Sequence, residues 1–193
     1  ENIIPHYHDK KKAILSNVYA IDMDINALNI TRLKALSFME TISVEECNIL
    51  CKHIVLKDGF RKNNSFFPEP LYISPEDLDG LTEAGFDAIV SNPPYLILKP
   101  NKSKAGIGGF DKIREQVTHY RNCGFYQYSI EGVLNLYKLA IERMLQMLKL
   151  GGELGVICPS TLFGDVSAKK LRKHLLLCNN VRSIQFFAEK VSI

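Results

Sequence analysis

The apolar positions of this chain alternate between two spacings. "NVYAIDMD", Asn17 to Asp24, sets Val18, Ala20 and Ile21 ahead of two acidic residues, as a buried parallel strand does. "INALNITRLKALSFME" then brings helix formers behind a polar start at Asp24 to Asn26, which predicts a helix. A second strand is predicted in "CKHIVLKDGF", Cys51 to Phe60, which ends in an Asp-Gly turn, and a third in "FDAIVSN", Phe86 to Asn92. The stretch between them, "RKNNSFFPEPLYISPEDLDG", reads as a loop from its Asn, Ser and Pro content. From Leu96 to about Gly132 there is no clear period, which predicts a long excursion outside the sheet, with "AGIGGF" as a flexible loop. In "LNLYKLAIERMLQMLKLGG", Leu134, Tyr137, Ile141, Met144, Leu145 and Leu148 fall on one helical face and Lys138, Glu142 and Gln146 on the other, with Gly151-Gly152 as the stop. "ELGVICPS" predicts a fourth strand, "VSAKKLRKHLLL" a second amphipathic helix and "VRSIQFF" a fifth strand. The alternation is that of an α/β fold with a doubly wound, mostly parallel sheet in a single domain over 1–193, carrying a non-sheet insertion around 96–132.

In such a sheet, ligands bind beyond the carboxyl ends of the strands, and Asp22, Asp58 and Asn92 each fall at such an end. These three groups are expected to converge on one cleft. Asp22 suits either the two hydroxyls of a ribose or the cap of the next helix, and Asp24 is the better reading for the cap. Asp58 suits an exocyclic amine or the first position of a turn before Gly59. "SNPPY", Ser91 to Tyr95, is the most specific stretch, because two prolines cannot continue a sheet ladder. An amine conjugated with an aromatic ring is a poor nucleophile until its lone pair is localised. Two acceptors do this: the Asn92 side-chain carbonyl takes one N–H, and the backbone carbonyl of Pro93 takes the other. Both contacts strengthen as positive charge develops on the nitrogen. Tyr95 adds a ring on which a base can stack.

Composition narrows the class. The chain has 193 residues, is 46% hydrophobic and carries a formal net charge of +3, enough for a sizeable core and neutral about a polyanionic partner. Its five cysteines are odd in number and lie in or beside apolar segments, as reduced cytoplasmic thiols do. No apolar run approaches the roughly 20 residues that span a bilayer, so no membrane partner is expected. "HYHD", His6 to Asp9, and the trio Cys47, Cys51 and His53 supply no full ligand set, and no metal is expected. Lys102 and Lys104, and the run Lys169, Lys170, Arg172 and Lys173, could touch phosphates or form solvated faces.

Taken in order, "VYAIDMDINAL", "LKDGF", "FDAIVSNPPY" and "LYKLAIERMLQMLKLGGELGVICPSTLF" make the chain from Asn17 onward resemble the adenine-N6-specific DNA methyltransferases of the γ arrangement, especially the Eco57I-like restriction–modification family. The resemblance implies a Rossmann-like methyltransferase fold, S-adenosyl-L-methionine as cofactor, and double-stranded DNA with a flipped-out adenine as substrate. It also implies a cytoplasmic location and a fused or partner restriction nuclease and specificity domain. Carried over residue by residue, Asp22 binds the cofactor's ribose, Met23 lies beside its adenine and Asp58 takes that adenine's amino group. Asn92 and the Pro93 carbonyl bind the target amine, Asn92 and Pro94 lie near the cofactor, and Tyr95 stacks on the flipped base by its ring face alone. The family's glycine-rich cofactor loop has no match between Glu1 and Ser16, and its target recognition domain has none either, so an N-terminally truncated catalytic fragment is expected. Two rival readings stay open: a protein-glutamine or ribosomal RNA methyltransferase facing the same lone-pair problem, and a non-catalytic DNA-binding piece of a restriction system.

Overall fold

The structure, a computed structural model, describes residues 10–56, 85–100 and 102–187 and divides the chain into two units, 1–83 and 84–193, each taken here by itself. The first unit runs α1 (Lys10–Asn17), β1 (Ala20–Asp22), α2 (Ile25–Ser37), α3 (Val44–His53) and β2 (Ile54–Leu56). β1 and β2 pair in parallel, Ala20 opposite Ile54 and Asp22 opposite Leu56. Ile14, Leu28, Leu50 and Ile54 form the core between helices and strands, each burial contributing about 1.5–3 kcal/mol. The predicted second strand is therefore shorter than expected, since Cys51–His53 are helical. Ser43 and Glu46 form a capping box that starts α3, with the Glu46 N–H donating to Ser43 Oγ at 3.2 Å and the Ser43 N–H to Glu46 Oε2 at 2.7 Å. Arg32 then donates to the Ile54 carbonyl from Nε (3.2 Å) and Nη2 (2.7 Å), fixing the point where helix gives way to strand.

The second unit runs β3 (Phe86–Ser91), β4 (Ile97–Leu98), α4 (Lys102–Asn122), β5 (Leu134–Asn135), α5 (Leu136–Met147), β6 (Leu148–Val156), α6 (Thr161–Gly164), a 3₁₀ turn (Val166–Ala168) and α7 (Lys169–Cys178). β3 and β6 pair in parallel, from Ala88 opposite Glu153 to Ser91 opposite Val156. Phe86, however, sits opposite Leu148, so Lys149 to Gly152 bulge out against Asp87 alone. Leu150 in this bulge is fully exposed. Gly85, at φ +88°, enters β3 so close to the end of α5 that a Cβ there would lie 2.6 Å from the Met147 carbonyl oxygen. β4 and β5 form a short antiparallel clip, Ile97 opposite Asn135 and Leu98 opposite Leu134.

Two expectations change, while a mixed α/β chain holds, with a small parallel pair within each unit. The predicted fifth strand, residues 181–187, is not in a ladder, because no described strand lies alongside it. Side chains hold it instead, through an Arg182–Glu153 ion pair at 2.5 Å and an edge-on contact of Phe186 with Phe163 at 5.9 Å. The excursion over 96–132 contains a 21-residue helix that takes in 105–110. Ile113, Val117 and Tyr120 recur at helical spacing in it, and a helix once nucleated propagates through glycines that each cost only about 1 kcal/mol. Among the described residues no helix is long and apolar enough to cross a membrane.

Candidate active site

β3 ends at Ser91, and Asn92 to Leu96 run on without regular structure between two clamps. Upstream, the Ile157 N–H donates to the Ser91 carbonyl at 3.1 Å, extending the β3–β6 ladder by one rung. Downstream, the Leu136 N–H donates to the Leu96 carbonyl at 2.9 Å, just before the β4–β5 clip. Between the clamps Pro93 is buried while Asn92, Pro94 and Tyr95 are exposed. Prolines with fixed φ make this five-residue path stiff. The Tyr95 hydroxyl lies 2.6 Å from Asn92 Oδ1 and 3.1 Å from the Ile157 carbonyl oxygen, and its ring meets Tyr137 edge-on at 6.4 Å. Asn92 also lines an open hollow of about 510 Å³ with Val90, Ser91, Gly155, Val156 and Ile157.

Burial pushes both the Tyr137 phenol and the Cys158 thiol above their ordinary values, so neither carries charge at neutral pH. A thiol held protonated is a poor nucleophile.

Asp22 and Met23 lie in the first unit, at the carboxyl end of β1, and both are exposed. Asp22 Oδ1 accepts the Asp24 N–H at 2.9 Å, which orients the carboxylate without burying it. Asp24 Oδ1 accepts the Asn26 N–H at 2.8 Å, so Asp24 is the cap of α2 as expected. Asp58, along with His6 to Asp9, lies outside the described residues. His53 stacks on Tyr19 at 4.2 Å, a packing role within its helix end.

The residues missed by sequence reasoning are on α5, where Lys138 and Glu142 of the supposed polar face are buried. Glu142 is 2% exposed and accepts from the backbone N–H groups of Gln127 (2.6 Å), Tyr128 (3.1 Å) and Ser129 (2.8 Å), and from the Ser129 hydroxyl (2.5 Å). Lys138, 1% exposed, donates to the carbonyls of Val133 (3.0 Å) and Ser167 (3.3 Å) and to Ser167 Oγ (2.9 Å). Both are charges fully surrounded by partners, which is the condition under which burial is tolerated. They pin the 127–133 loop and the 3₁₀ turn to the helix that also backs Tyr95. In α7, Arg172 donates to the Leu162 (2.9 Å) and Asp165 (3.1 Å) carbonyls and Lys170 pairs with Glu131 at 2.7 Å, so these two cations are engaged within the fold.

The sequence is 30% identical, over 86% of its length, to the type II restriction enzyme and methyltransferase RM.Eco57I of Escherichia coli. It is 26% identical, over 68% of its length, to the type II methyltransferase M.HincII of Haemophilus influenzae. The chain spans 16% of the first of these relatives and 24% of the second. The sequence model of the Eco57I restriction-modification methylase family matches residues 16–192, and the chain belongs to that family.

Proposed function

We propose that the protein containing this chain is a DNA methyltransferase of a restriction–modification system, acting on the N6 amino group of adenine with S-adenosyl-L-methionine as methyl donor. The observation that carries this reading is the exposed Asn92 amide at the end of β3, on a stretch held at Ser91 and Leu96. The Asn92 carbonyl and the Pro93 backbone carbonyl bind the two N–H bonds of the target amine and localise its lone pair. Tyr95 receives the flipped base on its ring, a stack contributing about 1–3 kcal/mol. The donor supplies a methyl group made electrophilic by the positive sulfur that carries it. An exposed, oriented carboxylate at a strand end fits the ribose hydroxyls of that donor, and Asp22 offers one. Met23, Asp58 and Pro94 are the other residues we assign to the donor. The parallel pairing within each unit supports the Rossmann-like, doubly wound arrangement that goes with the reading. The five unpaired cysteines suit the cytoplasm, where the DNA partner and any restriction nuclease or specificity domain would be met.

The test is methyl transfer by the intact protein from methyl-labelled donor to unmodified duplex DNA, followed by digestion to nucleosides. Label is expected in N6-methyldeoxyadenosine; label in cytosine, RNA or protein overturns the assignment. Asp22→Ala is expected to weaken donor binding by about 1.5–3 kcal/mol, the worth of a charge-assisted hydrogen bond. Calorimetry that finds unchanged affinity in the folded variant would leave Asp22 with its local role of holding the Asp24 N–H.

A further inference from the structure

We propose that Tyr137 is a positioning residue that sets the tilt of the Tyr95 ring, and through it the plane in which the target base is held. The two rings lie perpendicular, at 86°, with centroids 6.4 Å apart. In such a pair the edge of one ring meets the face of the other, so Tyr95 cannot turn about its Cβ–Cγ bond without losing the contact. That turn is otherwise soft, because a torsion onto an aromatic ring has broad wells. The Tyr95 hydroxyl donates to Asn92 Oδ1 at 2.6 Å and lies 3.1 Å from the Ile157 carbonyl oxygen, which fixes the far end of an exposed side chain. That end sits on the rotation axis of the ring. Its hydrogen bonds therefore leave the tilt open, and a contact on the flank has to set it.

Tyr137 is itself firmly held. It is buried, its N–H donates to Asn135 Oδ1 at 3.3 Å, and its hydroxyl lies 3.4 Å from Thr161 Oγ1. The residue before it, Leu136, is bonded to the Leu96 carbonyl, one residue past Tyr95. The residue after it, Lys138, donates to the Val133 carbonyl and to Ser167 Oγ. A base stacked on Tyr95 takes the plane of the ring, so a change of tilt moves its exocyclic amine relative to Asn92. This inference rests on the reading of Tyr95 as the ring on which the base stacks, and the experiment separates the two.

The intact protein is compared as parent, Tyr137→Phe, Tyr137→Leu, Tyr95→Ala and the double variant Tyr95→Ala/Tyr137→Leu, on a duplex carrying the site mapped by labelling. Capture of the base is read by 2-aminopurine fluorescence at the target position, and donor affinity by calorimetry. Tyr137→Leu should weaken capture roughly three- to tenfold, the worth of one perpendicular ring contact, with donor affinity unchanged. Tyr137→Phe keeps the ring and should match the parent. In the Tyr95→Ala background Tyr137→Leu should cost nothing further, because the ring it tilts is gone. Leu139→Ala opens a cavity at another buried position of the same helix and should leave capture unchanged. Parent-like capture in Tyr137→Leu, an equal loss in both backgrounds, or the same loss in Leu139→Ala overturns the positioning role. Parent-like capture in Tyr95→Ala overturns the stacking reading itself. Should Tyr137→Leu not fold, Tyr137→Met, whose flexible side chain refills the space, is held to the same outcomes.

Discussion

Asn92→Ala is expected to slow single-turnover methylation by about 10²–10³-fold in the intact protein while leaving donor affinity nearly unchanged. The variant removes one of the two acceptors that localise the amine lone pair, a loss of roughly 2.7–4 kcal/mol of transition-state stabilisation when a single preorganised hydrogen-bonding group is deleted. It should not disturb the fold, because Asn92 is exposed and the path of its chain is set by Pro93, Ser91 and Leu96 rather than by the amide. Donor binding is assigned mainly to residues of the first unit, so calorimetry with the donor should not distinguish variant from parent. Loss of donor binding with an unchanged rate at saturation would place Asn92 in the cofactor site and remove it from the chemistry.

Glu142→Ala is expected to destabilise the folded protein by about 3–5 kcal/mol, a range reached when a buried charged acceptor is taken from several donors at once. Three backbone N–H groups and the Ser129 hydroxyl lose their common partner in a site that is 2% exposed, and alanine offers nothing in return. Glu142→Gln keeps one carbonyl oxygen but turns an NH₂ group toward donors, so it should fall between the parent and Glu142→Ala. The measurement is the urea midpoint followed by circular dichroism, read at constant slope. A midpoint within error of the parent for Glu142→Ala would mean that water replaces the carboxylate at no cost.

The elements that sequence reasoning recovered, in kind though not to the residue, are β1, α2, β3, α5, β6 and α7. Where it went astray, the deciding partner was distant in sequence or made of backbone. Lys138 and Glu142 look like a solvated stripe on α5 because a helical wheel counts charges without knowing that the 127–129 backbone turns its N–H groups toward them. Cys51 to His53 look like strand because their apolar neighbours continue into Ile54, whereas Ser43 and Glu46 had already started a helix through them. That signal was readable and was passed over. Residues 181–187 have strand composition, but a strand needs a ladder partner, and composition does not provide one. At the candidate site, the exposed strand end at Asn92 to Tyr95 was legible from two prolines and an amide. The tie from Tyr95 to Ile157, across 62 positions, was not, since nothing in the intervening residues reports which carbonyl a phenol will find.

The bulge at Lys149 to Gly152 has a mechanical consequence for the corner at Asn92. α5 carries the buried ions and β6 leads directly into Ile157, and a stiff junction would transmit any axial rotation of the helix into the strand's register. Four residues set against Asp87 alone, with Leu150 in solvent and nothing within 4 Å of a Cβ at Gly151, act as slack between them. A length change at Leu150 or Gly151 is taken up there, leaving the rungs from Ala88–Glu153 to Ser91–Val156 in place. The same change between Leu154 and Ile157 has no slack to absorb it and would exchange the faces of every following residue, carrying the Ile157 carbonyl away from Tyr95. Tolerance to insertion and the hold on the Tyr95 hydroxyl are thus separated by only a few residues of one strand.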